Sequence, residues 1–347
     1  MARHPFSLFS RHGGWSRNLI YSIISALLIV AVVVVLIYGS NPFGKNEAKT
    51  GEASPQTNEE QENEVVHLMP KLAAEPEPKP APIDLTTKPP TESDPKVNKL
   101  IAEATELVTT EPARIIEARH RLNEALPMPM GEQQRAFVKE ELSKLADEWL
   151  FSPNIFPNDT LCDIYKVKPG NQLRIIGERF KVPWEILKQI NRIQRSDLLP
   201  AGKLIKVING PFHAKIYRST FTMDLYLQNT FVRSFPVGLG MPGRETPTGL
   251  WRVQPGGKLI SPTWTDPDTG RTYRAEDPDY PLGSRWIALE GIAGAAKGRT
   301  GFAIHGTKDP DQIGTPGSRG CIRLHNGDAI LVYNLLVPIF SKVEVLQ

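Results

Sequence analysis

The chain has 347 residues, 40% of them hydrophobic, and a formal net charge of +3, which is room for two or three small domains of ordinary globular composition. Its basic residues are dispersed rather than gathered into one stripe, which argues against a nucleic-acid surface. Two cysteines, Cys162 and Cys321, exclude a disulfide framework and a zinc site built mainly of thiolates.

Residues 1–18 contain Arg3, Arg11 and Arg17 and no acidic side chain, and Leu19 to Tyr38 is an uncharged apolar run. About twenty residues at about 1.5 Å rise span about 30 Å, one hydrocarbon core. A cleavable leader has an apolar region of about 7 to 15 residues closed by a small-x-small site, which Tyr38-Gly39-Ser40 matches poorly. We therefore expect 19–38 to be a single-pass anchor in the cytoplasmic membrane, with the N-terminus inside and the rest periplasmic or extracellular. Residues 41–95 are acidic and proline-rich with Phe43 as the one aromatic. Such a segment cannot bury enough apolar surface to offset the entropy of ordering, so a disordered linker is expected.

In 96–150 apolar residues return at helical spacing: Leu100, Ala104 and Leu107, then Ile115, Ala118 and Leu122, then Phe137, Leu142, Leu145 and Trp149. Breaks at Pro112 and at Pro127 to Gly131 predict three helices, read as a spacer or a protein-docking surface. Residues 163–209 predict a strand, two helices and a strand, with turns at Pro169-Gly170-Asn171 and at Leu199-Pro200-Ala201-Gly202. From 211 to 347 the pattern is mainly β. Met223, Leu225 and Leu227 alternate with polar residues, further strands are expected at 250–253, 301–304 and 342–346, and a helix at 327–336. Residues 260–299 read as a long insertion carrying Trp264, Tyr273, Tyr280 and Trp286, a lid or binding wall with Trp264 or Tyr273 as substrate contacts.

The stretch from Phe302 to Asp328 holds the one cysteine and histidine pairing suited to covalent chemistry. Imidazole can take a thiol proton and leave a thiolate to attack a carbonyl. Pro310, Gly314, Pro316, Gly317 and Gly320 let the loop fold back and bring His305 to Cys321. Gly320 also permits a sharp turn that could aim N–H groups at an oxyanion. Two structural alternatives stand beside this: a Cys162–Cys321 disulfide in an exported chain, and a zinc hydrolase using His305, His325 and Asp328.

His305-Gly306-Thr307, followed by Ser318-Arg319-Gly320-Cys321-Ile322-Arg323-Leu324 and Asp328, resembles the signature of the YkuD-type L,D-transpeptidases of peptidoglycan. Thr246-Pro247-x-Gly249 upstream extends the likeness. The resemblance implies Cys321 as the acylated nucleophile, His305 as its base, and the Ser318, Arg319, Gly320 backbone as active loop and oxyanion hole. Gly306, Thr307 and Arg323 are then substrate-binding or structural, Arg323 pairing with a substrate carboxylate or with a loop carboxylate such as Asp328. Many relatives carry histidine where this chain has Arg319. Neither metal nor cofactor is implied. The implied reaction is attack on an amide between an L- and a D-centred residue of a stem peptide, loss of the terminal D-amino acid, and transfer to an acceptor amine. Water as acceptor would make a carboxypeptidase, and a silent peptidoglycan-binding protein is the alternative of another class. The 163–209 pattern resembles a LysM module, which implies glycan binding near Pro169, Gly170, Asn171, Leu199, Ala201 and Gly202. The expected architecture is thus multidomain: one transmembrane helix, a small helical region, an α+β module of βααβ order, and a mainly-β catalytic domain. Peptidoglycan stems, glycan strands and the membrane are the expected partners.

Overall fold

The computed structural model describes residues 94–347; the expected anchor at 19–38 and nearly all of the expected linker lie outside the described residues. Three helices come first: α1 (Pro95–Thr109), α2 (Ile115–Ala125) and α3 (Glu132–Trp149). Asp94 caps α1 by accepting the Lys96 N–H at 2.8 Å, with a proline in the first turn where its missing N–H costs nothing. The apolar stripes of the three helices meet in one core of Val97, Ile101, Ala118, Leu122, Val138, Leu142, Leu145 and Trp149. Beneath it sits a buried ion pair, Arg119 to Asp159 at 3.0 Å, with the Arg119 guanidinium 4.3 Å from the Trp149 ring.

The next unit is a two-stranded antiparallel sheet, β1 (Cys162–Lys166) and β2 (Leu204–Ile208), enclosing α4 (Leu173–Phe180) and α5 (Trp184–Ile190). Leu173, Ile176, Ile186, Leu187, Ile190, Ile205 and Val207 form its core. The other face of its sheet turns to the helices. There the buried Lys206 ammonium donates to the carbonyls of Trp149 at 2.5 Å, Ser152 at 3.0 Å and Asn154 at 2.7 Å. A cation at the carbonyl end of α3 satisfies acceptors that have no helical partner.

The remainder forms a mixed sheet of eight strands in the order β13-β11-β10-β7-β14-β3-β4-β5. These are β3 (Phe212–Tyr217), β4 (Thr222–Leu227), β5 (Thr230–Pro236), β7 (Gly249–Ile260), β10 (Arg285–Ala293), β11 (Phe302–His305), β13 (Ile322–Arg323) and β14 (Lys342–Leu346). Phe212, Ala214 and Ile216 are buried on one face of β3, while His213, Lys215 and Tyr217 stay half-buried on the other, the period-two alternation of a strand. The helix α6 (Asn326–Tyr333) leads from β13 back toward β14. Two short pairs stand outside the main sheet: β6 (Leu239–Gly240) with β12 (Pro316–Ser318), and the hairpin β8 (Trp264–Thr265) with β9 (Thr272–Tyr273). The helical region covers the β5 edge, where Phe231 N–H donates to the Asn123 side chain at 2.8 Å and Arg233 pairs with Asp147.

The reading of 260–299 as an insertion is corrected in its second half. Residues 285–293 are an interior strand, paired with β7 on one side and β11 on the other. Ile287 and Leu289 alternate inward, but Gly291 and register shifts at Ile287/Leu289 and Gly291/Ala293 interrupt the pattern, and glycine in a strand signals a bulge rather than a strand interior.

Candidate active site

His305 ends β11, and Cys321 is the residue before β13. The two strands run parallel, with Ile304 beside Ile322 and His305 beside Arg323. Continuing that register sets Cys321 beside Ala303, so Ala303, His305, Cys321 and Arg323 project from one face of the sheet. The loop from Gly306 to Gly320 leaves and returns on neighbouring strands. That is how the fold brings together residues sixteen positions apart in sequence. On the same face Trp286, register partner of His305 on β10, stacks against the imidazole with centroids 5.4 Å apart and planes at 21°.

His305 is 3% exposed, and its Nδ1 lies 2.6 Å from the Gly306 carbonyl oxygen. A carbonyl only accepts, so this contact assigns the proton of the neutral ring to Nδ1 and the lone pair to Nε2. Burial drives the His305 pKa down to about 4; the Gly306 and Leu282 carbonyls oppose the shift and the Arg323 charge adds to it. Cys321 is a free, half-buried thiol whose Sγ is 4.0 Å from the Gly301 carbonyl oxygen. Burial pushes this thiol up, partly offset by the Ala303 N–H and the Arg323 charge. The resting pair is therefore a neutral thiol and a neutral imidazole, the protonation states needed for proton transfer during attack.

The loop preceding Cys321 is fastened by its own polar groups. The buried Ser318 hydroxyl donates to the Cys321 carbonyl at 2.6 Å and accepts the Gly320 N–H at 3.1 Å. Thr246, also buried, donates to the Gly320 carbonyl at 2.9 Å and accepts the Gly240 N–H at 3.1 Å. Gly320 has φ +111°, and a Cβ there would come within 2.6 Å of the Phe302 ring, so glycine is needed for both conformation and space. The Gly320 N–H is already engaged, which makes Ser318 and Gly320 scaffold for the Cys321 backbone in this conformation.

Arg319 points away from that turn, into the β8–β9 hairpin. Its guanidinium lies 3.1 and 3.2 Å from the two oxygens of Asp266 and 2.7 Å from Asp268, and Arg244 adds a contact to Asp268 at 2.8 Å. The Trp264 and Tyr273 rings are stacked on each other, 6.0 Å between centroids, at the base of the same hairpin. Sequence reasoning missed Asp266 and Asp268, whose signal was a turn, Asp266-Pro267-Asp268-Thr269-Gly270, in an otherwise unpatterned segment.

Arg323 donates to the Gly317 carbonyl at 3.3 Å and leaves its buried Nε without a partner. Among the described residues no carboxylate, Asp328 included, lies within ion-pair distance of it, although the loop carboxylate Asp309 acts on it at longer range. Gly306 and Thr307 are anchored by Asn326. Its side-chain oxygen accepts the Thr307 N–H at 3.2 Å, its amide donates to the Thr307 carbonyl at 3.0 Å, and a Cβ on Gly306 would meet that oxygen at 2.2 Å. Asn326 was not singled out in sequence.

His325 is exposed at the start of α6, and His213 accepts the Lys342 N–H through Nδ1 at 3.1 Å on β3. Among the described residues no group of three His, Cys, Asp or Glu side chains is placed to hold a metal ion; His305, His325 and Asp328 do not converge. Cys162 is free and buried, its thiol pushed to about 12 by burial. In the βααβ unit, Val167 ties the two predicted glycan-binding turns together, its N–H to the Lys203 carbonyl at 2.9 Å and its carbonyl to the Gly202 N–H at 2.8 Å. Pro169, Gly170, Ala201 and Gly202 are exposed and Leu199 is half-buried. The Asn171 side chain is occupied within its turn, accepting from Tyr165 Oη and Lys168 N–H.

The L,D-transpeptidase catalytic domain family (YkuD) matches residues 211–345, and the LysM domain family matches 165–207. The chain is similar to the "Putative L,D-transpeptidase YkuD" of Bacillus subtilis, 29% identical over 188 residues that cover 52% of this chain and 97% of that protein. It is also similar to the "Probable L,D-transpeptidase ErfK/SrfK" of Escherichia coli, 37% identical over 127 residues covering 33% of this chain and 37% of that one. Among solved structures, an L,D-transpeptidase from Mycobacterium smegmatis aligns at 15% identity and a TM-score of 0.30, over 42% of this chain and 64% of that one. The chain thus spans a little under two thirds of that solved structure's length.

Proposed function

We propose that this chain, which carries a YkuD-type L,D-transpeptidase catalytic domain with a LysM module upstream, cross-links peptidoglycan stem peptides through a thioester on Cys321. The observation that carries the reading is the Nδ1 contact of His305 with the Gly306 carbonyl. It leaves Nε2 as the acceptor for a thiol rooted on the same sheet face. In the acylation step Nε2 takes the Cys321 proton as Sγ bonds to the carbonyl carbon of the L,D amide. Collapse of the tetrahedral intermediate breaks the C–N bond, and the imidazolium returns its proton to the departing D-amino acid. In the second step an acceptor amine attacks the thioester carbonyl, His305 takes the amine proton, and the thiol is released with a new amide in place.

Arg323 has no carboxylate within ion-pair distance and only the more distant charge of Asp309 to offset it, and we assign it the carboxylate of the donor stem. Guanidinium and carboxylate match as a two-pronged pair. Ser318, Gly320 and Thr246 hold the nucleophile's backbone, and Arg319 fixes the hairpin beside it. In this reading residues 19–38 hold the domain at the outer face of the cytoplasmic membrane, within reach of the wall.

Incubation of the purified chain with tetrapeptide-bearing muropeptides tests the reading. Cross-linked dimers are expected. Trimmed tripeptides alone would transfer the assignment to an L,D-carboxypeptidase, and no thioester on Cys321 after carbapenem treatment, read by mass spectrometry, would make the domain catalytically silent.

A further inference from the structure

A cleft of about 520 Å³ lies between α5 of the LysM module and the catalytic domain. Trp184, Lys188, Gln189 and Arg192 line it from the module, and Arg285 and Asn334 from the catalytic domain. The turns Pro169 to Asn171 and Leu199 to Gly202 take no part in it, so it is separate from the glycan-binding region expected of the module. Behind Arg285 stands Lys258, its ammonium 4.2 Å from the Tyr333 ring, with the Arg285 guanidinium 5.3 Å from that same ring.

Among the described residues none of Lys188, Arg192, Lys258 and Arg285 has a carboxylate within ion-pair distance. The one carboxylate among the lining residues is Glu185. Arg285 donates through one terminal nitrogen to the neighbouring Ser284 carbonyl at 3.0 Å, and its buried Nε has no acceptor. Burial holds the Lys258 amine down at about 8, with Glu185 opposing and Arg285 reinforcing that shift. Like charges gathered in one cleft repel one another, and an incoming anion relieves that repulsion.

We propose that this cleft seats a glycan strand through the carboxylates it bears, making the junction of module and catalytic domain a second, charge-selective saccharide site. Guanidinium forks take carboxylates, the amides of Gln189 and Asn334 supply donors and acceptors for hydroxyl and acetamido groups, and the Trp184 ring offers an apolar face to a pyranose. The cleft lies on the sheet face opposite His305, because Trp286, which stacks on the imidazole, follows Arg285 on the same strand and successive residues alternate faces. The inference rests on the peptidoglycan reading of the chain, which carbapenem acylation of Cys321 in the wild type tests independently of the cleft.

The test compares binding of two probes to the full chain: soluble stem-bearing glycan strands released from peptidoglycan by a glycan-cleaving hydrolase, and a neutral N-acetylglucosamine oligomer. Lys188→Gln with Arg192→Asn removes two cations from positions outside the core; Arg192 has φ +51°, a conformation that asparagine tolerates. The variant is expected to bind the stem-bearing strand about tenfold more weakly and the neutral oligomer as the wild type does. A second measurement needs no variant: raising ionic strength from about 0.05 to about 0.3 M should weaken wild-type binding of the carboxylated strand and leave the neutral one unchanged. Equal binding of the stem-bearing strand by variant and wild type would overturn the proposal. So would salt-independent binding, or equal losses for both probes.

Discussion

His305 and Cys321 rest as an uncharged pair, and that sets the pH behaviour of the site. With its pKa held near 4 by burial, the imidazole remains a base far below the usual histidine range. The acid limb of Cys321 acylation by a carbapenem should fall near pH 4, and a limb near 6.5 would show that His305 is solvated during reaction. The same shift has a stability consequence. Between pH 6.5 and 4 the unfolded chain binds a proton at His305 that the folded chain refuses, so stability is full above the unfolded pKa and declines as pH falls toward 4. The loss is roughly 3 kcal/mol, readable as a lower urea midpoint at pH 4 than at pH 7, and His305→Gln should flatten that contribution while abolishing acylation. Cys321→Ala should remove the adduct with little change in folding, because the half-buried thiol makes only weak contacts, 4.0 Å to the Gly301 carbonyl and one with the Ala303 N–H. Both residues were legible in sequence because their chemistry is carried by residue type. What fastens them was less so: Thr246 was noted only within a motif and Asn326 not at all, since a hydroxyl or amide that bonds a distant backbone leaves no periodic trace.

At the scale of elements, the hairpin β8–β9 and the nucleophile loop behave as one wall because Arg319 spans them. A two-pronged contact to Asp266 with a further one to Asp268 is stronger than an isolated surface pair, though each component contributes about 1 kcal/mol or less at this exposure. Arg319→Ala should raise the KM for stem peptides by about fivefold with a smaller change in kcat, and Arg319→Lys, which keeps the charge and loses the fork, should fall between. Asp266→Asn should reproduce the Arg319→Ala effect, and the double variant should be no worse than either alone. Additive losses would separate the two residues and remove the clamp. The helices and the βααβ unit were readable because their apolar periods are clean and their breaks are prolines and glycines. The strand at 285–293 was not, because its bulges shift the inward set partway along and Gly291 breaks its pattern. Trp286 accordingly entered the reading as a lid aromatic, whereas the fold makes it the ring against which His305 stacks.

For the whole molecule, the question is whether the βααβ unit is tethered loosely or carried rigidly. Lys206 answers it. A buried ammonium bonded to the carbonyls of Trp149, Ser152 and Asn154 joins β2 to the end of α3, and the helices in turn cover the β5 edge of the catalytic sheet. Removing the ammonium while keeping bulk, as in Lys206→Met, strands the buried Trp149 carbonyl and leaves two part-buried ones to water, a loss of about 1 to 3 kcal/mol. Thermal unfolding should then begin several degrees lower, whereas Lys203→Met, at an exposed position of the same unit, should leave the transition unmoved. Function separates rigid carriage from mere stability. If the module presents polymeric wall to the site, cross-linking of intact peptidoglycan by Lys206→Met should fall by more than its exchange of short soluble stems, measured below the onset of unfolding. Equal losses on both substrates would mean that the junction stabilises the fold without positioning the polymer. A selective loss on the polymer would show that the Lys206 junction positions the strand as well as stabilising the fold.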